Sequence, residues 1–297
     1  MSAARQLARV TAREGLKLPL PLGLRDLSDE LRECLDGVTT ELNEYGYDAF
    51  GAEPASLQGV LLPAALLYRY WLRVETQGIE QVPSGRVLLI ANHAGNNFAY
   101  DGAMLAMSML LEAQPPRLVR GMVEYFLPTI PYFSVLLHRA GSVVGTPHNC
   151  TQLLEHDEAV MVFPEGARGF VKPYSKRYQL QRFGLGFVRL ALETGTPIVP
   201  IGIVGSEEQS PGLADVKWLG RLIDSPAFPI TLTFPWLGPL GFLPLPVKFR
   251  IRFGAPLHFE GDAHDDDAAI EKHVEVVKDR IRELVGEGLA ERRGWFR

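Results

Sequence analysis

The most regular pattern in the chain lies near its end. Ile270, Val274, Val277, Ile281 and Leu284 recur at alternating four- and three-residue steps, which lines one face of an α-helix with apolar side chains. Asp265, Asp266 and Asp267 stand just before this stripe and favour a helix start there through capping and the helix dipole. Toward the other end, Asp26–Tyr45 reads as a polar-faced helix and Ala55–Leu72 as a more apolar one, with Leu57, Leu61, Ala64, Ala65, Tyr68 and Leu72 at helical spacing. From Gly85 onward the period shortens. Strand-like runs are predicted at Val87–Ala91, Leu118–Met122, Ser142–Val144, Ala159–Phe163, Ile198–Val204 and Phe249–Phe253. Helical patterns fall between them near Asp101–Glu112, Cys150–Glu155 and Gly184–Thr194. Such alternation predicts an α/β fold, a mixed central sheet flanked by helices. The expected division is an N-terminal helical region over residues 1–80, able to pack on the core or lie on a membrane, and an α/β domain over residues 81–297.

Composition adds a few exclusions. Of 297 residues, 46% are hydrophobic and 22% charged, which is ordinary globular usage and sets disorder aside. The net charge of −5 provides no global basic field for nucleic acid. Cys34 and Cys150 are too few and too far apart for a disulfide framework or a zinc site, and they suit a reducing compartment. Arg5, Arg9, Arg13 and Lys17 share one helical face, fit for anionic lipid or simply for water. The longest uncharged run, Ser225 to Val247, is long enough to span a bilayer but carries six prolines. A spanning helix would lose several backbone bonds to them. The run is therefore expected to form an apolar loop, the wall of a lipid site, or a core strand with irregular connections.

Three segments carry candidate chemistry. Asn92-His93 directly follows the strand-like Val87–Ile90, and Asp101 opens the next helix. Ligands in α/β sheets bind at the carboxyl ends of strands, where an imidazole can take a proton from a hydroxyl near neutral pH. A carboxylate on the other ring nitrogen would fix the tautomer. The same residues also suit a turn cap and a helix N-cap. The second segment, Val162-Phe163-Pro164-Glu165-Gly166-Ala167-Arg168-Gly169, runs from a strand into a glycine-flanked turn. There Arg168 is able to grip phosphate bidentately. The third is a basic stretch holding Arg168, Lys172, Lys176, Arg177, Arg182 and Arg189, with no acidic residue between Glu165 and Glu193. Phosphates of coenzyme A or of lipid headgroups fit it better than nucleic acid does, and a solvated helix face fits it too.

Taken in order, these segments resemble the glycerolipid (lysophospholipid) acyltransferase superfamily, the group that contains 1-acylglycerol-3-phosphate acyltransferases. Its Asn-His-x4-Asp motif is matched by Asn92-His93 with Asp101, its Phe-Pro-Glu-Gly-Thr-Arg motif by Phe163 to Arg168 with Ala167 in the Thr place, and its apolar Val-Pro strand by Ile198 to Gly202. The resemblance implies His93 as general base and Asp101 as its partner. It implies an acceptor-binding role for Arg168, with Glu165 and Gly166 shaping the loop and Lys172 close to it. It implies no metal and no cofactor beyond acyl-CoA or acyl carrier protein as co-substrate. The expected partners are an acyl thioester donor, a glycerolipid acceptor and a membrane surface, with no nucleic acid. The expected location is the cytoplasmic face of a membrane, held peripherally.

Two departures shape these expectations. Seven residues rather than four separate His93 from Asp101, so the loop between them has to bulge for the side chains to meet. The run Gly141 to Thr146 lacks the acceptor-binding Arg that the family carries there. Arg139 or Arg120 is expected to substitute, or the acceptor carries no phosphate. A neutral-lipid acyltransferase and a non-catalytic lipid-binding module thus stay open beside the phospholipid reading. A serine hydrolase is disfavoured, because no Gly-x-Ser-x-Gly elbow occurs.

Overall fold

The computed structural model describes residues 22–38, 40, 42–125, 133–222 and 228–296. The basic face of Arg5, Arg9, Arg13 and Lys17 lies outside them. Seven strands form one sheet in the order β1-β9-β6-β2-β5-β3-β4. They are β1 (Glu75–Gln77), β2 (Val87–Ala91), β3 (Val119–Val123), β4 (Val143–Val144), β5 (Ala159–Val162), β6 (Ile198–Val204) and β9 (Arg250–Phe253). Strands β6, β2, β5, β3 and β4 run parallel, β9 is antiparallel to β6, and β1 is parallel to β9. The sheet is therefore mixed, as the alternation of elements predicts. Every residue of β2 and β6 is buried, which explains why both read as continuous apolar runs rather than alternating ones.

Helices cover both faces. On one face lie α1 (Leu22–Asp36), α2 (Pro54–Leu66) and α3 (Tyr100–Leu111), whose Leu31, Leu57 and Leu105 share a core with Leu89 and Ile201. The N-terminal helical pair is thus present, and its buried leucines pack on the sheet. On the other face lie α5 (Pro147–Glu155), α7 (Gly186–Thr194) and α9 (Asp267–Ala290), packed on Leu88, Ile90 and Ile198. The whole stripe from Ile270 to Leu284 is buried, and each such side chain contributes about 1.5–3 kcal/mol. Asp266 supplies the cap, accepting the Ala269 N–H at 2.7 Å. At Gly202, a Cβ would stand 2.7 Å from Cβ of Leu284, so only glycine lets α9 lie this close to β6.

Several boundaries differ from the sequence pattern. The first helix stops at Asp36 rather than Tyr45. Gly37 closes it with bonds to the Glu33 and Cys34 carbonyls, and the Asn43 side chain then captures the N–H groups of Tyr45 and Tyr47, a local alternative to helix. Strand β1 was not foreseen, being short and polar. Among its described residues the uncharged run forms neither a core strand nor a helix of any length. It gives β8 (Pro229–Thr231), paired with β7 (Gly212–Asp215), and a 3-10 turn at Gly238–Phe242. Between β7 and β8 lies α8 (Lys217–Leu222), and the remaining short helices are α4 (Phe133–Arg139) and α6 (Ala167–Phe170). No helix among the described residues is long and apolar enough to cross a membrane.

Candidate active site

Because β2, β5 and β6 are adjacent and parallel, the loops after all three open at one edge of the sheet. His93 leaves the end of β2, Glu165 the end of β5, and Glu207 and Glu208 the end of β6. Asn92 fixes the first loop to the end of β6 by exchanging side-chain bonds with both backbone groups of Ile203, at 2.7 and 3.0 Å.

His93 Nδ1 lies 2.8 Å from Asp101 Oδ2. Asp101 is fully buried and also accepts the N–H groups of Ala94 and Gly102, at 2.7 and 2.8 Å. Oδ2 is thus an acceptor shared by the Ala94 N–H and Nδ1, an arrangement that fits the tautomer with the proton on Nδ1. The ring is wedged between Phe163, with centroids 4.2 Å apart, and Phe170, at 5.1 Å. Its side chain keeps 12% exposure, and Nε2 has no hydrogen-bond partner among the described residues. The geometry leaves one imidazole nitrogen tethered and the other open.

The seven-residue spacing is absorbed by a bulge. Asn96 takes a positive φ of 56°, its N–H donates to the Phe170 carbonyl, and its amide donates to the Ser210 carbonyl at 2.8 Å. From the β6 loop, Gln209 reaches back to the Gly95 carbonyl at 3.1 Å. The extra residues therefore bridge the β5 and β6 loops while the two ends of the bulge close on each other.

Glu165 is buried and joins the segments. Its Oε1 accepts the His93 backbone N–H at 3.0 Å and its Oε2 the Gln181 N–H at 2.7 Å. A Cβ on Gly169 would stand 2.6 Å from Cβ of Glu165, which accounts for the second glycine of that turn. Lys172 is buried as well. Its ammonium lies 2.8 Å from Glu207, 3.2 Å from the Gln179 carbonyl and 3.9 Å from Glu165. That cation is enclosed by protein groups.

The other basic residues separate in space. Arg168 is exposed on the turn and donates to the Arg182 carbonyl at 3.3 Å, while Gly166 holds a positive φ just before it. Arg139 ends α4 and pairs with Glu53 at 3.4 Å. Arg120 is buried, bonded to Asp48 and to Glu158, so it is not available as a substitute acceptor ligand. Arg189 pairs with Asp267. Arg177 lies over the Tyr174 ring at 4.7 Å and lines a cavity of about 580 Å³ with Tyr178, Arg292 and Trp295.

Sequence reasoning missed the β6 loop entirely. Glu207 accepts the Tyr178 N–H, and Glu208 binds the Tyr178 hydroxyl at 2.5 Å and Arg292 at 2.7 Å. Burial pushes the Glu207 carboxyl up, against the pull of Lys172. Burial, and then Glu208, push the Tyr178 phenol well above its ordinary value. The available signal was a pair of carboxylates immediately after the Val-Pro strand.

The loops thus bring together a tethered imidazole at a strand tip and a Phe-Pro-Glu-Gly turn. This chain belongs to one family with uncharacterized mycobacterial proteins and carries a match to the Acyltransferase family within its central part. The sequence model of the Acyltransferase family matches residues 73–204, a span that includes His93, Asp101, Glu165 and Arg168. An uncharacterized protein of Mycobacterium leprae is 39% identical over 272 residues, covering 90% of this chain and 72% of that protein. One from Mycobacterium tuberculosis (strain H37Rv) is 38% identical, covering 90% and 74%. The mouse DGAT1/2-independent enzyme synthesizing storage lipids is 24% identical over 72% of this chain and 60% of its own. In fold, the chain is similar to the crystal structure of the 1-acyl-sn-glycerophosphate (LPA) acyltransferase PlsC from Thermotoga maritima. The TM-score is 0.50 at 15% identity, over 98% of this chain and 90% of that one.

Proposed function

We propose that this acyltransferase moves a fatty acyl group from a thioester donor to a hydroxyl of a glycerolipid, with His93 as general base. The observation that carries the reading is the 2.8 Å contact of Nδ1 with Asp101, which leaves Nε2 as the nitrogen able to receive a proton. The acceptor oxygen attacks the thioester carbonyl while its proton passes to Nε2. Asp101 stabilises the imidazolium that forms. The tetrahedral intermediate then expels the thiolate, which takes the proton back from Nε2 and leaves as free thiol. No acyl-enzyme is formed, and His93 returns to its starting state.

The donor is acyl-CoA or acyl carrier protein. The cavity under Arg177 and Trp295 supports acyl-CoA, because a guanidinium beside aromatic rings suits a phosphorylated nucleotide. On the acceptor side, Arg168 is the exposed cation on the turn that carries Glu165. A second reading, an acceptor without phosphate, is favoured by the pairing of Arg139 with Glu53 and the burial of Arg120. The name of the mouse relative, which refers to storage lipids, points the same way. The reading places the protein peripherally on the cytoplasmic face of a membrane, in phospholipid synthesis or remodelling, or in neutral-lipid synthesis under the second reading.

The test is thiol release from long-chain acyl-CoA with lysophosphatidic acid, other lysolipids or diacylglycerol, in the wild type and in His93→Ala. Acceptor-dependent release that the variant loses is expected. Release independent of acceptor would indicate a thioesterase, and none with any acceptor a binding module.

A further inference from the structure

The segment from Leu232 to Leu243 stands out from the rest of the surface. Trp236 is 69% exposed, Leu240 65%, Leu237 57%, Leu243 55% and Leu232 54%, within a run that carries no charge from Ser225 to Val247. Single exposed apolar residues are ordinary, but a contiguous group of this size marks an interaction surface.

Its polar atoms are turned inward. The Trp236 indole donates to the Thr231 carbonyl and the Thr233 hydroxyl to the Gly241 carbonyl. The N–H groups of Leu237, Gly238, Leu240 and Leu243 all find carbonyls within the segment. A segment whose side-chain donors and turn N–H groups are bonded in this way enters an apolar medium at lower cost. At the edge, Arg73 bonds only to the carbonyls of Trp71, Pro246 and Phe296. It has no carboxylate partner among the described residues, and its charge suits a lipid phosphate.

The segment is also fastened to the site. Asn97 donates to the Gly241 carbonyl at 3.1 Å and to the Thr231 hydroxyl at 3.2 Å, and the Tyr100 hydroxyl donates to the Phe242 carbonyl at 3.0 Å. Asn97 and Tyr100 both belong to the bulge between His93 and Asp101, the part that exceeds the usual motif spacing. On the other side the Trp71 indole donates to the Pro244 carbonyl at 2.8 Å, which joins the exposed end of the helical pair to the same patch.

We propose that residues 232–243 dock on a lipid bilayer, and that Asn97 and Tyr100 hold the His93 site against that surface. A lipid acceptor then enters without crossing water. The occupant is a bilayer rather than a protein, because the patch offers apolar side chains and no charge, the Trp236 indole and the Thr233 hydroxyl are already bonded within it, and a basic residue stands at its rim. The idea rests on the glycerolipid reading above, but its test does not require activity.

The experiment is co-sedimentation of the full chain with dioleoylphosphatidylcholine vesicles, with and without phosphatidylglycerol. The double variant Trp236→Ser/Leu240→Ser is compared with Val276→Ser, an exposed apolar position on the outer face of α9 that is 50% exposed. The double variant is expected to lose about ten-fold or more in vesicle partitioning. It should keep its melting temperature and its thiol release with a short-chain, water-soluble monoacylglycerol, while Val276→Ser binds as wild type. Partitioning unchanged in the double variant overturns the proposal. So does a lipid-free dimer of wild type that the double variant dissociates, since the patch would then cover a second copy. Vesicle binding lost as expected, with no thiol release from any acceptor in wild type, sinks the enzymatic reading and leaves the docking surface standing.

Discussion

The carboxylate of Glu165 accepts the backbone N–H of His93 at 3.0 Å, so the turn after β5 sets the height of the imidazole that emerges from β2. The same carboxylate takes the Gln181 N–H, a second acceptor bond that an amide side chain cannot supply together with the first unless one of its ends is mispaired. Glu165→Gln is therefore expected to lower kcat while leaving the KM for donor nearly unchanged. Misplacement of a proposed base by about 1 Å is worth roughly 10²-fold. Steady-state kinetics on folded, purified variant reads the split. A changed KM with an intact kcat would assign Glu165 to substrate contact instead.

Asp101→Asn probes the partner of the proposed base. Asp101 Oδ2 serves both Nδ1 of His93 and the Ala94 N–H. An asparagine with its oxygen at that position sets its NH2 against the Gly102 N–H, and the flipped amide sets its NH2 against both the ring and the Ala94 N–H. The first is a donor–donor clash that displaces the side chain, the second favours the wrong tautomer, and neither supplies the charge that stabilises an imidazolium. Turnover should fall by about 10²–10⁴-fold, with acyl-CoA affinity kept in a direct binding titration. Near-normal turnover would remove Asp101 from the mechanism.

These residues show what the sequence made legible. The parallel strands could be read because burial on both faces makes them uninterrupted apolar runs, and α9 because one stripe and one aspartate cap specify it. His93, Asp101 and Glu165 were visible because each stands at a fixed offset from a strand end. The bulge was inferred from spacing, but its means of support was not. Asn96, Asn97 and Gln209 make contacts 114 to 144 positions away, and no local pattern records those. For the same reason Lys172, which resembles a solvated cation in sequence, turns out to be enclosed by Glu165 and Glu207.

Two arginines of the basic stretch are expected to divide the substrates between them. Arg168 is exposed beside the Glu165 turn, whereas Arg177 lies over Tyr174 at the cavity that Trp295 helps to line. Arg168→Ala should raise the acceptor KM with little effect on the donor. Arg177→Ala should raise the KM for acyl-CoA several-fold and leave turnover of a short thioester without a nucleotide unaltered. Charged hydrogen bonds of about 1.5–3 kcal/mol allow roughly ten- to hundred-fold effects. Identical responses of the two variants to both substrates would dismiss this division.

Glu207 makes a prediction about stability instead. Burial raises its carboxyl from the ordinary 4.5, with Lys172 and the Tyr178 N–H opposing. The folded chain then holds a proton that the unfolded chain has already released, so the contribution of this group to stability falls as pH rises through that window. Above the raised value both states are ionised and the loss stops growing. Relative to Glu207→Gln, wild type should therefore lose melting temperature between about pH 4.5 and the raised folded value and run parallel to the variant beyond it. Paired thermal melts across that range supply the difference curve. A wild type that gains on the variant as pH rises would mean that the Lys172 ion pair at 2.8 Å outweighs burial, and that the carboxyl is held below its ordinary value rather than above it.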